Sequence, residues 1–174
     1  AQPLSLGYLG KRELIEFETV MPHTTGEIME KMRKEMPEGI ELISCFELPE
    51  NIKSLAADAD AAEYKIWIPT SLSEDVLKKE MDRYLNMTEI VALKRQKKTK
   101  KMEPVNIRPM IRSLEINKVG DFAMIKALLD CGSRSNCSPE LVISSFCSHG
   151  GIETPRYDME VERTNIFFVN KLQY

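Results

Sequence analysis

No apolar run in the 174-residue sequence approaches the roughly 20 residues a helix needs to cross a bilayer, so no membrane span is expected. The opening, AQPLSLGYLG, has neither the basic start nor the long apolar core of a secretory signal. It also lacks an initiating Met, and the chain is expected to be a fragment or a processed form. Cysteine is scarce: Cys45, Cys131, Cys137 and Cys147 do not make the dense framework of a small secreted fold, which points to a reduced, cytoplasmic setting. Histidine is scarcer, with only His23 and His149, and neither stands near a nucleophile. G-x-S-x-G, G-x-x-x-x-G-K-[ST] and H-E-x-x-H are all missing, so no familiar hydrolase, nucleotide-binding or zinc-protease signature is encoded.

What the chain does contain is charge, unevenly placed. Its 43% hydrophobic and 29% charged content is ordinary for a globular protein, and the formal net charge is −3. Residues 94–112 nevertheless carry eight positive charges against one negative, Glu103, or +7, which leaves −10 for the rest. An acidic body with one basic arm would meet a polyanion at one place, with affinity falling steeply as salt rises. Lys94, Arg95, Lys97, Lys98, Lys100 and Lys101, followed by Arg108 and Arg112, are the candidate nucleic-acid contacts. The competing reading is a solvated edge, since lysines on an exposed strand also deter edge-to-edge aggregation. No aromatic residue lies between Leu93 and Ile116, so the run does not itself encode a base-stacking surface.

Periodicity sets the frame. Glu13–Val20 and Ile40–Leu48 read as strands around a helix from a Thr24/Glu27 capping box to about Met36, ended by Pro37 and Gly39. Pro49–Ala62 reads as a linker or short helix, and Glu63–Ile68 as a strand. A Ser71/Glu74 capping box opens a second helix, and Thr88–Leu93 follows as a strand leading into the basic run. With no Gly or Asn for a primed turn, that run is expected to be a long, mobile hairpin tip centred on Thr99. Ser113–Asn117 and Phe122–Leu129 form a hairpin around Val119-Gly120-Asp121. Ser138-Pro139-Glu140 starts a helix that Gly150-Gly151 ends, and Tyr157–Val169 supplies the last strand, interrupted near Arg163-Thr164-Asn165. The pattern implies an α+β fold: a mostly antiparallel sheet with helices on one face, of ferredoxin-like units, with room for two in tandem. Residues 1–60 would be a partial β-α-β unit and 61–174 a second α+β unit, or the two would form one continuous domain.

Other candidates are weaker. Arg108 and Arg163 sit beside apolar strand residues and could line a pocket, although pairing with neighbours such as Asn106 and Glu162 is the blander role. The spacing C-x5-C-x9-C-x-H from Cys131 to His149 matches no common zinc pattern, and no metal is expected. Cys45 and Cys147 are expected as buried small hydrophobes. The GSRSNCS loop, residues 132–138, could cradle an anion ahead of its helix but more often such a loop is a turn and a cap.

Taken together, PLSLGYLGKRELIEFE, MPEGIEL, DADAAEYKIWI, PVNIRPMI and SPELV followed by ERTNIF resemble, in that order, the bacterial radical-SAM-linked protein family. The resemblance covers nearly the whole chain. It implies a domain of unknown function found beside or fused behind B12-binding radical SAM proteins, with RNA-processing and ribosomal genes as context. The matching positions are Gly7, Glu13, Glu63, Tyr64, Ile107, Arg108, Pro109, Pro139 and Arg163, none of which carries a transferable catalytic role. The sequence departs from the family pattern at Asn106, where Asp is usual, and the family's first β-α-β segment, with its His-containing stretch, is missing ahead of Ala1. C-x3-C-x2-C is absent, so the chain does not encode a radical SAM cluster of its own, and no cofactor is expected. The leading expectation is a non-enzymatic accessory domain that contacts RNA and partners a radical SAM enzyme. The alternatives are an RNA-modifying or RNA-processing enzyme, with Arg108 and Arg163 in a cleft, and a protein–protein adaptor.

Overall fold

The structure, a computed structural model, describes residues 3–52, 54–96 and 98–170. The chain forms β1 (Leu9–Gly10), α1 (Thr25–Glu35), α2 (Leu55–Asp58), β2 (Ala59–Pro69), α3 (Glu74–Leu85), β3 (Val91–Arg95), β4 (Met102–Asn106), β5 (Ile111–Val119), β6 (Phe122–Asp130), α4 (Pro139–Gly150) and β7 (Glu160–Phe168). Short 3-10 turns precede β5 and β7, at Arg108–Met110 and Arg156–Asp158.

The fold is α+β, and its sheet runs β1-β7-β2-β6-β5. All its pairings are antiparallel except β1 with β7. Setting aside two-residue β1, the elements β2-α3-β5 and β6-α4-β7 interleave so that β6 lies between β2 and β5. That is the split β-α-β arrangement of a ferredoxin-like unit, with the β3–β4 hairpin inserted between α3 and β5. Alternation decides which face is covered. Ala62, Tyr64, Ile66 and Ile68 of β2, with Ala123, Ile125, Ala127 and Leu129 of β6, form one cluster with Leu77, Met81 and Tyr84 of α3 and Val142 and Phe146 of α4. The Tyr84 and Phe146 rings meet edge-on, and the Tyr84 hydroxyl bonds Ser145 Oγ at 2.6 Å. β2 and β6 stay in register from Ala61↔Asp130 to Pro69↔Phe122.

Local signals account for several boundaries. Thr24 and Glu27 form the expected capping box on α1. Ser138 caps α4 and Gly151 ends it in the left-handed region at φ 63°, where glycine carries no Cβ penalty. Gly120, at φ 56°, sits in the two-residue turn joining β5 and β6. The expected break in the last strand is a bulge: Glu63 pairs with Asn165 but Tyr64 with Arg163, leaving Thr164 as the extra residue.

Three expectations are corrected. The cap of α3 is Ser73, whose hydroxyl accepts from the Val76 N–H, and not Ser71. The end of the supposed linker, Ala59–Ala62, belongs to β2 because Ala61 and Ala62 pair on both sides. Glu13–Val20 and Ile40–Leu48 carry no strand pairing. Their period-two pattern supplies an apolar face but no ladder partner, and Ile15, Phe17, Val20, Ile40 and Ile43 remain exposed. Helix α1 between them buries no residue.

Candidate nucleic-acid interface

The basic run is mounted on a hairpin whose base is buried and whose described outer residues are exposed. Ile90, Ala92 and Ile107 are buried, whereas Leu93 to Gln96 are exposed. The Asn106 side-chain carbonyl accepts from the Ile90 N–H at 3.1 Å and the Arg108 N–H at 3.0 Å, tying both roots of the hairpin. Asn therefore does here what a carboxylate acceptor would do, without adding negative charge. Lys94 stands opposite Glu103 and Arg95 opposite Met102 in the ladder. The arm closes where Gln96 donates its N–H to Lys101 O at 2.9 Å, with Lys100 held in the left-handed region at φ 59°.

Lys94, Arg95, Lys98, Lys100 and Lys101 are all exposed, and among the described residues no carboxylate forms an ion pair with any of them. Glu103, the only acid on the arm, receives its hydrogen bond from Gln96 Nε2, at 2.8 Å. Lys97 lies outside the described residues.

Arg112 is different, because its charge is already met. Its guanidinium places Nη1 2.7 Å from Asp60 Oδ2, Nη2 2.9 Å from Asp60 Oδ1, and Nε 2.8 Å from Asp130 Oδ1. Hydrogen bonding from Arg112 holds the Asp60 carboxyl below the usual range. Ser135 Oγ completes the cluster with a 2.6 Å bond to Asp130. Arg112 thus ties the start of β5 to β2 and β6.

Arg108 and Arg163 have separate partners. Arg108 Nε donates to Leu85 O at 3.2 Å, satisfying a carbonyl at the end of α3. Arg163, 3% exposed, forks onto Glu13, with Nε to Oε1 at 2.9 Å and Nη2 to Oε2. The sequence neighbour Glu162 instead faces Lys11 at 3.5 Å. Burial, which would favour the neutral guanidine, is overridden by Glu13, and the Arg163 pKa is raised. Beside it, burial pushes the Tyr64 phenol up to about 12 and raises the Cys131 thiol.

One charged cluster has no local sequence signal. Glu140, in the first turn of α4, receives Arg156 Nη2 at 2.6 Å, Arg156 Nε at 2.9 Å and the Tyr8 hydroxyl at 2.8 Å. Burial alone would raise the Glu140 pKa, but the bonds from Arg156 and Tyr8 win and lower it. These partners lie 16 and 132 residues away. No window of sequence joins them.

The thiols are mostly buried. Cys131, Cys137 and Cys147 are buried and unpaired, and Cys45 is half-buried. Burial pushes the Cys137 thiol up to about 12 and the Cys147 thiol to about 11, which favours the neutral thiol in both. Among the described residues no group of His, Cys, Asp and Glu side chains is placed to hold a metal ion, and no helix is long and apolar enough to cross a membrane. His149 lies 3.7 Å from Glu80 and against the Tyr84 ring. In the 132–138 loop, the Gly132 and Cys137 N–H groups bond Ser135 O and Asp130 O, and Ser138 caps α4, so the loop is built as a turn and a cap.

No curated protein and no solved structure gives a significant match to the chain. The family model described as "Uncharacterized protein conserved in bacteria (DUF2344)" matches residues 1–139, which is most of the chain, and the protein belongs to that family.

Proposed function

We propose that this chain is an accessory domain that contacts RNA, or another polyanion, through the β3–β4 arm, and that it works beside a radical SAM enzyme. The observation that carries the first half is the set Lys94, Arg95, Lys98, Lys100 and Lys101, exposed on an otherwise acidic molecule with no carboxylate paired to them among the described residues. Each phosphate neutralised by such a side chain releases condensed counterions, and salt then sets the affinity. The resemblance to radical-SAM-linked proteins supports the second half. Arg108 and Arg163 act as structural ties in this reading, because each is engaged by the protein's own groups.

The test is binding of a short single-stranded RNA over a range of salt concentrations. The variant with Lys97, Lys98, Lys100 and Lys101 all changed to Ala is expected to lower the slope of log affinity against log salt by about 3, at roughly 0.7 per lost phosphate contact on a single strand. Identical slopes for variant and wild type would remove the proposal. For the partner, affinity purification from the native bacterium is expected to bring down a radical SAM protein; its absence from the purified complex counts against that half alone.

A further inference from the structure

The face of the sheet turned away from α3 and α4 has a layout of its own. Outward positions on the two middle strands, β2 and β6, bring Trp67 opposite Met124, and Lys65 opposite Lys126, in adjacent rows. The row beyond Trp67 sets Pro69 opposite Phe122, whose ring meets Trp67 edge-on at 6.4 Å between centroids. Along the Trp67 row, Glu160 lies opposite Trp67 on β7 and Asn117 lies opposite Met124 on β5, both exposed. Along the lysine row, Glu162 and Glu115 occupy the two outer strands.

We infer that Trp67, braced edge-on by Phe122, forms a stacking platform for a base of single-stranded RNA, with Lys65 and Lys126 placed for its phosphate. The inference deepens the polyanion reading above, and rests on it, by naming the ligand as a strand with unpaired bases. Each part answers to a requirement. The basic arm has no aromatic residue, so bases held near it need a π surface elsewhere. An aromatic ring half-exposed on a middle strand of an open antiparallel sheet is the arrangement that lets a base lie flat on protein. The carboxylate of Glu160 and the amide of Asn117 flank that row and offer an acceptor and a donor–acceptor pair for base edges. Successive rows are about 7 Å apart along the strands, a span that suits a base and its own phosphate.

The charges around the lysines set how such a phosphate is held. Two lysines directly opposite one another repel. Lys126 is partly compensated by Glu63 at 3.1 Å, and Glu162 is shared with Lys11, while Lys65 has no ion pair among the described residues. With Glu63, Glu115, Glu160 and Glu162 around them, these lysines can fix one phosphate but do not make a broad basic surface. Bulk attraction stays with the arm.

Trp67 is the only tryptophan in the chain, so its fluorescence reports this site alone. The experiment compares a ten-nucleotide oligoadenylate with an inorganic polyphosphate of similar charge, each titrated into the full chain and followed by both Trp67 emission and an independent binding signal. Oligoadenylate is expected to quench Trp67, and polyphosphate to bind the arm without quenching. Trp67→Ala is expected to weaken oligoadenylate by about 5- to 150-fold for a lost base stack, and Phe122→Ala, with the reporter kept, to weaken it less by freeing the ring it braces, both leaving polyphosphate affinity and the salt slope unchanged. Far-ultraviolet dichroism of both variants checks that they fold. If both probes bind and Trp67 emission does not move, or moves equally for the two, the platform is overturned while the arm stands. If neither probe binds, the arm fails and the platform fails with it.

Discussion

At the residue scale, Arg112 and Arg163 look alike in sequence to the lysines and arginines around them, and both are ion-paired within the fold. Each is met by a carboxylate supplied from far along the chain, Asp60 at a separation of 52 residues and Glu13 at 150. Arg163 is the more constrained, since it is the buried partner and Glu13 is its fork. Glu13→Ala leaves that guanidinium without its carboxylate and is expected to cost about 3 kcal/mol in urea unfolding, within the range for breaking a buried pair. A loss below about 1 kcal/mol would show that the pair contributes no more than a surface ion pair. Such partnerships are what a stretch of basic sequence does not display. Local charge density is visible in a window, whereas neutralisation by a distant acid depends on strand register, which no window contains. Lys94, Arg95, Lys98, Lys100 and Lys101 differ in that, among the described residues, no carboxylate forms an ion pair with them.

At the element scale, legibility followed the chemistry of the ends. Thr24 with Glu27, Ser138 with Pro139 and Glu140, and Gly120 each announce a boundary through a backbone group they satisfy or a φ they permit, and each stands where its residue type requires. Strands were harder, because alternation identifies a face without naming a neighbour. Glu63–Ile68 alternates and finds β6 and β7 on its flanks; Glu13–Val20 alternates equally well and pairs with nothing among the described residues. The tip of the β3–β4 arm shows charge placed against local preference. Lys100 occupies a left-handed conformation that costs an L-residue roughly 1–2 kcal/mol and that glycine adopts freely. After allowing for the greater chain entropy of glycine, Lys100→Gly is expected to stabilise the fold by about 0.5 kcal/mol, measured as a rise in the denaturation midpoint. The same change is expected to weaken polyanion binding at low salt. A variant that gained neither stability nor a binding defect would show the tip relaxed and the lysine idle.

At the scale of the whole molecule, the strand order separates the helix-covered face, the open face and the inserted arm. Helices α3 and α4 seal one face, the other carries Trp67 and its flanking polar row, and the inserted arm projects from the connection between α3 and β5. An insertion at that point leaves the β2–β6 ladder continuous, so the arm can carry like charges without disturbing the core. Membership of a bacterial family gives that design a setting, and the charge segregation gives it a physical direction. The most direct measurement is lysine footprinting: brief acetylation of the full chain at low salt, with and without a saturating single-stranded RNA, read residue by residue by mass spectrometry. Lys94, Lys98, Lys100 and Lys101 are expected to be protected, with Lys31 and Lys34, exposed lysines on α1, unchanged. Equal modification of the arm in the presence of bound RNA, or protection confined to Lys31 and Lys34, would contradict the assignment of the polyanion to the β3–β4 arm.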